Sequence, residues 1–548
     1  MSRINQLVVA VVALLLATSP LQAAEGESER QSLEELRNTV VNLLQALVDK
    51  GLLTRDQAAG LVKQAQDKAA ADVAAEAARS AATEKAEANA VRVPYVPQIV
   101  KDEISKQVAD QVQPAVVASV VKEAKEEKWG VPGALPEWLT RMRLFGDVTL
   151  RAQTDMYASD NGLILDFNSI NQAGGIGKVA DPFLDTTSDR ERLRLRARLG
   201  VEADITPTIT AYIRLSSGSL TDPGSESQTL GSYGARDPVA FDQAYILWNS
   251  SPVGTLATWT AEGGRMPNPW FSPTELVYAR DLGFDGVAST MRLGWGEGGS
   301  DQSHFFATAG AFPLLEVPLQ ESGNKWLLGA QLGSYLRWDD GNQRLRLGAA
   351  YYDFLHITGE KNAPDSTLLN YTAPAFIRYG NTVYDISNST TDPTVNLFAL
   401  AAHFRIADLA ATYQLGFHRY SLGLTGEAVR NIGFNVDQVE ALTGQPLTGS
   451  HDKGYVGEIS FGDPAVAAFN QWRAALGYRY VQTDAVLDAW TDADFHEGGT
   501  NTEGYYLWAQ YGVAKNTWLR LRYMSGNEIS GPPRYGLDLV QFDVNTRF

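Results

Sequence analysis

The chain has 548 residues, with 46 Lys and Arg against 64 Asp and Glu, a formal net charge of −18 and no cysteine. That charge speaks against wholesale binding of nucleic acid, and the missing thiols exclude disulfides, thiolate metal centres and cysteine nucleophiles. A mean hydropathy of −0.20, with no long apolar helix after the first 25 residues, excludes helical membrane spans but not strands, whose alternation averages hydropathy away.

Residues 1–23 read as a secretory signal peptide, with Arg3 at its start, an apolar run from Leu7 to Ala17 and a cleavage region at Ser19-Pro20-Leu21-Gln22-Ala23. An apolar core of about eleven residues is too short to span a bilayer. Residues 24–92 are predicted helical, and Leu33, Leu36, Val40, Leu43 and Leu47 are spaced as the seam of a short coiled coil. Packing against the protein itself accounts for that seam nearly as well as self-association does. Gly51 ends the first helix and Thr54-Arg55-Asp56-Gln57 caps the next. Residues 93–142 hold the stiff linker Val93-Pro94-Tyr95-Val96-Pro97 and a second helical stretch over 98–128, interrupted at Pro114.

From residue 143 to 548 a period of two takes over. Its clearest stretch is Asp189 to Asp204, where Arg192, Arg194, Arg196 and Arg198 alternate with Leu193, Leu195, Ala197 and Leu199. On a strand these sets fall on opposite faces; on a helix both would scatter. The same alternation recurs with Arg344 and Arg346, with Arg473 and Arg479, and with Arg520 and Arg522. Alternation and turn residues predict sixteen strands: 145–154, 190–204, 208–217, 238–249, 255–264, 284–294, 302–312, 325–338, 343–354, 408–417, 420–430, 454–463, 471–486, 503–514, 517–526 and 536–548. Residues 395–404 also read as strand, either extending a neighbour or folding within a loop.

Long connections (155–189, 218–236, 265–283, 355–407, 431–453, 487–502) take turns with tight ones (205–207, 339–342, 515–516), the layout of an outer-membrane barrel. A soluble sandwich would tolerate one such strand, but it does not require sixteen with one-sided loops and Trp248, Trp259, Trp326, Trp338, Trp472 and Trp518 near strand ends. The predicted fold is therefore an all-β, transmembrane, antiparallel up-and-down barrel of about sixteen strands, preceded by a periplasmic α-helical segment. An even strand count puts both barrel ends on the periplasmic side. Charges facing lipid at mid-depth cost about 2–4 kcal/mol each, so the ten arginines Arg192, Arg194, Arg196, Arg198, Arg344, Arg346, Arg473, Arg479, Arg520 and Arg522 are expected to line the lumen. Acidic residues are expected outside it, in the helical N-terminus and in outer loops such as Asp484 to Glu503. A basic lumen predicts a weak preference for anions, which inward Glu202, Asp204, Glu427 and Glu458 would offset.

The last strand places Val540, Phe542, Val544, Thr546 and Phe548 on one face and ends in an aromatic. It resembles the terminal signature that the barrel-assembly machinery reads in bacterial outer-membrane proteins. Gly264-Arg265-Met266-Pro267-Asn268-Pro269-Trp270-Phe271, followed by Asp285-Gly286-Val287, resembles the loop after the fifth strand in the putative-porin family of proteobacterial outer membranes. The likeness spans roughly residues 143–548. It implies a third long loop folded into the pore, with Arg265, Asn268, Glu275, Arg280 and Asp281 as constriction candidates, and a homotrimer in outer-membrane lipid of a Gram-negative bacterium. For Arg265 a salt bridge within the barrel wall is an equal alternative.

Enzyme readings fare poorly. Six scattered histidines show no paired metal-ligand spacing, and no Gly-x-Ser-x-Gly elbow is present. Asp492-Ala493-Asp494 with Glu497 reads as an acidic surface loop before it reads as a calcium site. No cofactor is expected. The sequence thus predicts a water-filled channel for small hydrophilic solutes, the N-terminal helices serving trimerisation or reaching peptidoglycan or a periplasmic partner. Two alternatives stay open: a barrel that sheathes an electron-transfer partner, and a rim hydrolase using His304 or His418.

Overall fold

The computed structural model describes residues 141–250, 257–295, 302–317, 323–447 and 451–548. The signal peptide, the coiled-coil seam and the linker lie outside the described residues.

Sixteen long strands follow one another in chain order. They are β1 (Met142–Tyr157), β2 (Arg190–Thr206), β3 (Ile209–Ser217), β4 (Val239–Asn249), β5 (Ala257–Met266), β6 (Phe284–Trp295), β7 (Ser303–Leu315) and β8 (Lys325–Trp338). After them come β9 (Gln343–Leu355), β10 (Phe404–Phe417), β11 (Tyr420–Asn431), β12 (Lys453–Gly462), β13 (Trp472–Val481), β14 (Thr502–Ala514), β15 (Thr517–Glu528) and β16 (Gly536–Arg547). Each pairs antiparallel with the next, and β16 returns to β1 along a register running from Asp147↔Arg547 to Tyr157↔Leu537. The sheet is a closed barrel.

All sixteen predicted strands are present. Most strand ends fall within three residues of the predicted ones, and two regions depart further. The strand expected over 471–486 ends at Val481, because the chain then turns inward and Val481, Ala485 and Val486 are each 0% exposed, buried on both faces. Residues 395–404 divide: Phe398–Leu400 forms a small hairpin with Val383–Asp385 inside a loop, and Phe404 opens β10.

Long connections gather at one end of the barrel. Four matter below: L3 (267–283), L5 (356–403), L6 (432–452) and L7 (482–501). At the other end His418 and Arg419 alone join β10 to β11, and Lys515 and Asn516 alone join β14 to β15. Both chain ends of the barrel lie on this turn side.

Alternation sorts every strand into two faces. Leu150, Leu193, Leu332, Leu409, Leu507 and Leu521 project outward and are exposed. Of the six tryptophans expected near the membrane edges, Trp518 instead faces the lumen, because it shares parity with Arg520 and Arg522 and is registered with Asn545. Leu521 stands between those two luminal arginines but on the lipid side. Leu521→Arg is expected to destabilise the barrel in lipid vesicles by about 2–4 kcal/mol in denaturant unfolding, while Gln510→Arg on the luminal face changes it far less.

Candidate functional site

The candidate site is the lumen, and L3 and L7 divide it into a solid half and an open half. L3 enters from β5, and its apolar stretch Leu276-Val277-Tyr278-Ala279 is at most 2% exposed. Tyr278 meets Phe284 and Tyr352 of the wall edge-on, each at 5.1 Å between ring centroids. Ile386 and Ala399 to Ala402 of L5, Val439 of L6 and Val486 and Leu487 of L7 complete one apolar core. Aromatic and aliphatic side chains buried from water on every side make this half a packed interior.

Polar stitches fix L3 in place. Phe271 donates its backbone N–H to Gln331 Oε1 at 2.7 Å and accepts from Gln331 Nε2 at 2.9 Å. Thr274 donates its N–H to Glu427 Oε2 at 3.2 Å, and its hydroxyl reaches the same oxygen. L7 docks alongside: Ala279 donates to the Trp490 carbonyl at 2.6 Å, and the Thr491 hydroxyl donates to the Leu276 carbonyl at 2.7 Å. Asn381 of L5 donates to the carbonyls of Thr483 and Val486 at 2.6 and 2.8 Å. These loops close on one another as parts of a single plug.

The open half lies against β13 to β16, β1 and β2. Here registered partners on adjacent strands form a luminal row: Arg473, Gln510, Arg520, Asp543, Arg151 and Arg194. The parallel row beside it reads Ala475, Trp508, Arg522, Gln541, Gln153 and Arg192. Two adjoining cavities, of ≈ 290 and ≈ 140 Å³, share Glu275, Arg280, Asp492, Gln510, Arg520 and Arg522 among their lining residues.

Carboxylates from the loops meet many of the wall arginines. Asp494 of L7 accepts from Arg151 Nη1 at 2.7 Å, from Arg522 Nη1 at 3.0 Å and from Gln541 Nε2 at 3.1 Å. Burial alone would raise the Asp494 carboxyl, but Arg151, Arg522 and Arg194 outweigh it and hold the group well below the usual carboxylate range. Glu497 takes Arg192 Nη2 and the Tyr157 hydroxyl, each at 2.7 Å. Asp281 of L3 pairs with Arg196 at 3.2 Å and Arg198 at 3.5 Å. The acidic stretch expected outside the barrel is therefore inside it. The physical reason is that a row of unpaired arginines in a narrow lumen attracts the nearest flexible carboxylates.

The ten pore-lining candidates occupy luminal positions in different company. Arg192, Arg196, Arg198 and Arg522 are ion-paired. Arg479 donates to the Glu275 carbonyl at 3.2 Å and to the Thr491 hydroxyl. Arg346 is covered by L3, its guanidinium 4.2 Å from the Phe271 ring centroid, and Arg344 is registered with Arg337 on β8 nearer the turns. Arg194 and Arg473 contact neutral groups: Arg194 reaches Gln153, Ser225 and the Ser227 carbonyl at 3.3 Å, and Arg473 reaches Ser460 at 2.8 Å and the Pro464 carbonyl at 3.0 Å. Arg520 lies 5.3 Å from the Trp508 ring centroid.

Of the constriction candidates, Glu275, Arg280 and Asp281 line the open half, Glu275 and Arg280 pairing at 3.1 Å. Arg265 sits at the loop end of β5 and pairs across the wall with Asp285 on β6 at 2.7 Å. Asn268 accepts the Trp270 N–H at 2.9 Å, a turn within L3. Sequence reasoning missed Arg151, Trp508 and Gln510. Arg151 was findable, since it alternates with Leu150 and Ala152. Trp508 was not, because on β14 both faces carry aromatics. Asp492, Asp494 and Glu497 go to separate partners, and among the described residues no group of His, Asp or Glu is arranged to hold a metal ion.

A closed sixteen-stranded barrel with a partly open lumen defines an outer-membrane channel. A family model described as putative porin matches residues 37–548, and the chain belongs to that family. Among solved structures it is similar to OprB of Pseudomonas putida (12% identity over 77% of this chain and 97% of that one, TM-score 0.42). It is also similar to the outer membrane channel DcaP of Acinetobacter baumannii (12%, 74% and 97%, TM-score 0.38) and to the trimer form of OmpT of Vibrio cholerae (9%, 74% and 99%, TM-score 0.38). No curated protein matches the chain. Family and fold point to a channel of the outer membrane and away from an enzyme.

Two outcomes follow for L7. Asp494→Asn leaves Arg522 without its carboxylate, and the loop is expected to lose about 1–3 kcal/mol of docking, read as faster hydrogen exchange over 482–501 with strand amides unchanged. Asp488 is 2% exposed, and burial pushes its carboxyl up to about 7. A carboxyl raised in the fold favours the protonated state, so its contribution is complete below the ordinary carboxylate range and is lost as pH climbs through about 7. Asp488→Asn is therefore expected to stabilise L7 relative to wild type at pH 8, by roughly 4 kcal/mol at most, and to change it little near pH 3.5.

Proposed function

We propose that the protein is a passive diffusion channel for small hydrophilic solutes with a mild preference for anions. The observation that carries this is how the charges left outside ion pairs are held. The two cavities are lined by six arginines (Arg151, Arg196, Arg280, Arg479, Arg520, Arg522) and six carboxylates (Glu275, Asp281, Glu458, Asp492, Asp494, Asp543). Four of each form ion pairs, leaving Arg479 and Arg520 on one side and Glu458 and Asp492 on the other. Both of those carboxylates are covered by N–H donors. Glu458 accepts from Trp508 Nε1 at 3.0 Å, and Asp492 accepts the backbone N–H groups of Asp494 and Phe495 at 2.8 and 3.2 Å. Asp543 is held by Arg151 at 2.7 Å. Arg479 donates to the Glu275 carbonyl and the Thr491 hydroxyl, whereas Arg520 has the Trp508 ring beside it and, among the described residues, no hydrogen-bond acceptor. Arg473 and Arg194, at the two ends of the luminal row that holds Arg520, also contact neutral groups. Arginine keeps its proton at any physiological pH, so Arg520, Arg194 and Arg473 present a standing positive field to whatever crosses.

The sheath alternative loses ground because L3, L5, L6 and L7 fill the half of the bore that an inserted protein would need. The hydrolase alternative finds His304 at the start of β7, with Nδ1 2.9 Å from the Gln302 carbonyl, and His418 in the two-residue turn after β10. Neither lies at the loop-side rim. In this reading the mature chain forms trimers, the barrel-assembly machinery takes hold of Phe548, and the N-terminal helices stand in the periplasm. The last point is supported by the position of both barrel ends on the turn side.

Planar-bilayer recording of the purified full-length protein tests the reading. Discrete open steps and a zero-current potential on the chloride side are expected in a KCl gradient. The double variant Arg194→Ser/Arg473→Ser is expected to lower the chloride-to-potassium permeability ratio by about twofold. A silent bilayer, or cation preference in the wild type, overturns it.

A further inference from the structure

The larger of the two cavities has a second property that a simple aqueous eyelet does not need. Alongside Arg520 its wall carries Val456, Phe495, Tyr506, Trp508 and Met524. Val456, Phe495 and Met524 are at most 5% exposed, so the apolar surface open to the passage is that of Tyr506 and Trp508. That surface gains nothing from inorganic ions, which bring no area to bury; it gains from a solute with an apolar body.

Resting on the channel reading, we propose that this cavity, between L3 and strands β13 to β15, is a binding subsite for amphipathic organic monoanions of the arenecarboxylate type. The anionic group sits on the guanidinium of Arg520, and the ring lies along Trp508. Three observations carry this. First, the Arg520 guanidinium lies 5.3 Å from the Trp508 ring centroid, and its Nε is buried with no hydrogen bond among the described residues. A guanidinium short of partners and backed by an aromatic face is built to take a carboxylate as a two-pronged acceptor. Second, the acids nearby are engaged: Glu458 by the Trp508 indole, Glu275 by Arg280 and Asp492 by two backbone N–H groups. Burial and the proximity of Glu275 also raise the Asp492 carboxyl, which weakens the repulsion it offers to an incoming anion. Third, the space suffices: the cavity measures ≈ 290 Å³, and apolar cavities of roughly 150 Å³ already hold benzene.

Benzoate and acetate separate the charge from the ring. With the full-length protein in a planar bilayer, benzoate is expected to reduce chloride conductance at a half-blocking concentration about tenfold below that of acetate. Arg520→Gln is expected to raise the benzoate value about tenfold. Trp508→Ala is expected to move benzoate towards acetate while leaving the acetate value nearly in place. Heat-modifiable mobility on gels reports whether each variant barrel is folded, and Arg520→Lys, which keeps the charge but not the fork, provides a second variant with an intermediate value expected. Equal blocking by benzoate and acetate in the wild type, or a benzoate value unchanged within about twofold in a folded Arg520→Gln barrel, overturns the subsite. Calorimetric titration of benzoate into protein in detergent micelles separates the two proposals. Binding without conductance retains the subsite and rejects the channel, and conductance without block or binding does the reverse.

Discussion

In hydrocarbon a backbone amide has no water to turn to, so a chain that crosses as strands must leave no edge. The contact that satisfies this condition is the return of β16 to β1. At its turn-side end, beyond the last residue of β16, Gly146 and Phe548 exchange backbone hydrogen bonds at 3.1 and 3.0 Å. A Cβ on Gly146 would stand 2.4 Å from the Arg198 carbonyl and 2.7 Å from the Phe548 ring, so the residue is glycine because the final aromatic lies over it. Once the seam is closed, the period of two has only one outcome: every second side chain faces lipid and the others share an enclosed space.

What fills that space is decided by the loops. L3 brings one apolar stretch and one charged stretch in succession, Leu276 to Ala279 and then Arg280-Asp281. The first goes to the side of the barrel where β6 to β9 offer Phe284, Phe312, Leu327 and Tyr352. The second faces the arginine-bearing strands, where Asp281 finds Arg196 and Arg198. L7 repeats the division with Val486 and Leu487 on the apolar side and Asp492 to Glu497 on the polar side. The asymmetry of the lumen thus follows from how side chains are distributed around the wall, and the loops amplify it.

The barrel was legible because its signal is local. Alternation is a property of each strand by itself, and Arg192 to Arg198 or Val540 to Phe548 can be assigned to faces without knowing any neighbour. Its failures occurred where a segment is buried on both faces: Val481-Gln482-Thr483-Asp484-Ala485-Val486 mixes apolar and polar residues past the end of β13, and nothing in its spacing records the inward turn. The site was less legible for a related reason. That Asp494 lies between Arg151 and Arg522 depends on a loop crossing the lumen, and acidic residues in a loop look the same in sequence whether they face water or arginine. Trp508 and Trp518 illustrate the remaining limit. A luminal tryptophan and one at the membrane edge differ only in parity, which a glance at strand-end position overlooks and a strict count of alternate residues from Arg520 recovers for Trp518.

The solid half of the bore has a mechanical side. Gln331 on β8 and Glu427 on β11 grip L3 from the wall, Asn381 grips L7 from L5, and L7 is tied across the lumen to β1 and β15 through Asp494. Together these ties brace opposite sides of the cylinder against one another, like a strut fixed inside a hoop. A thin-walled tube is easily flattened; one with an internal cross-member keeps its section, and with it the width of the single lane left for traffic.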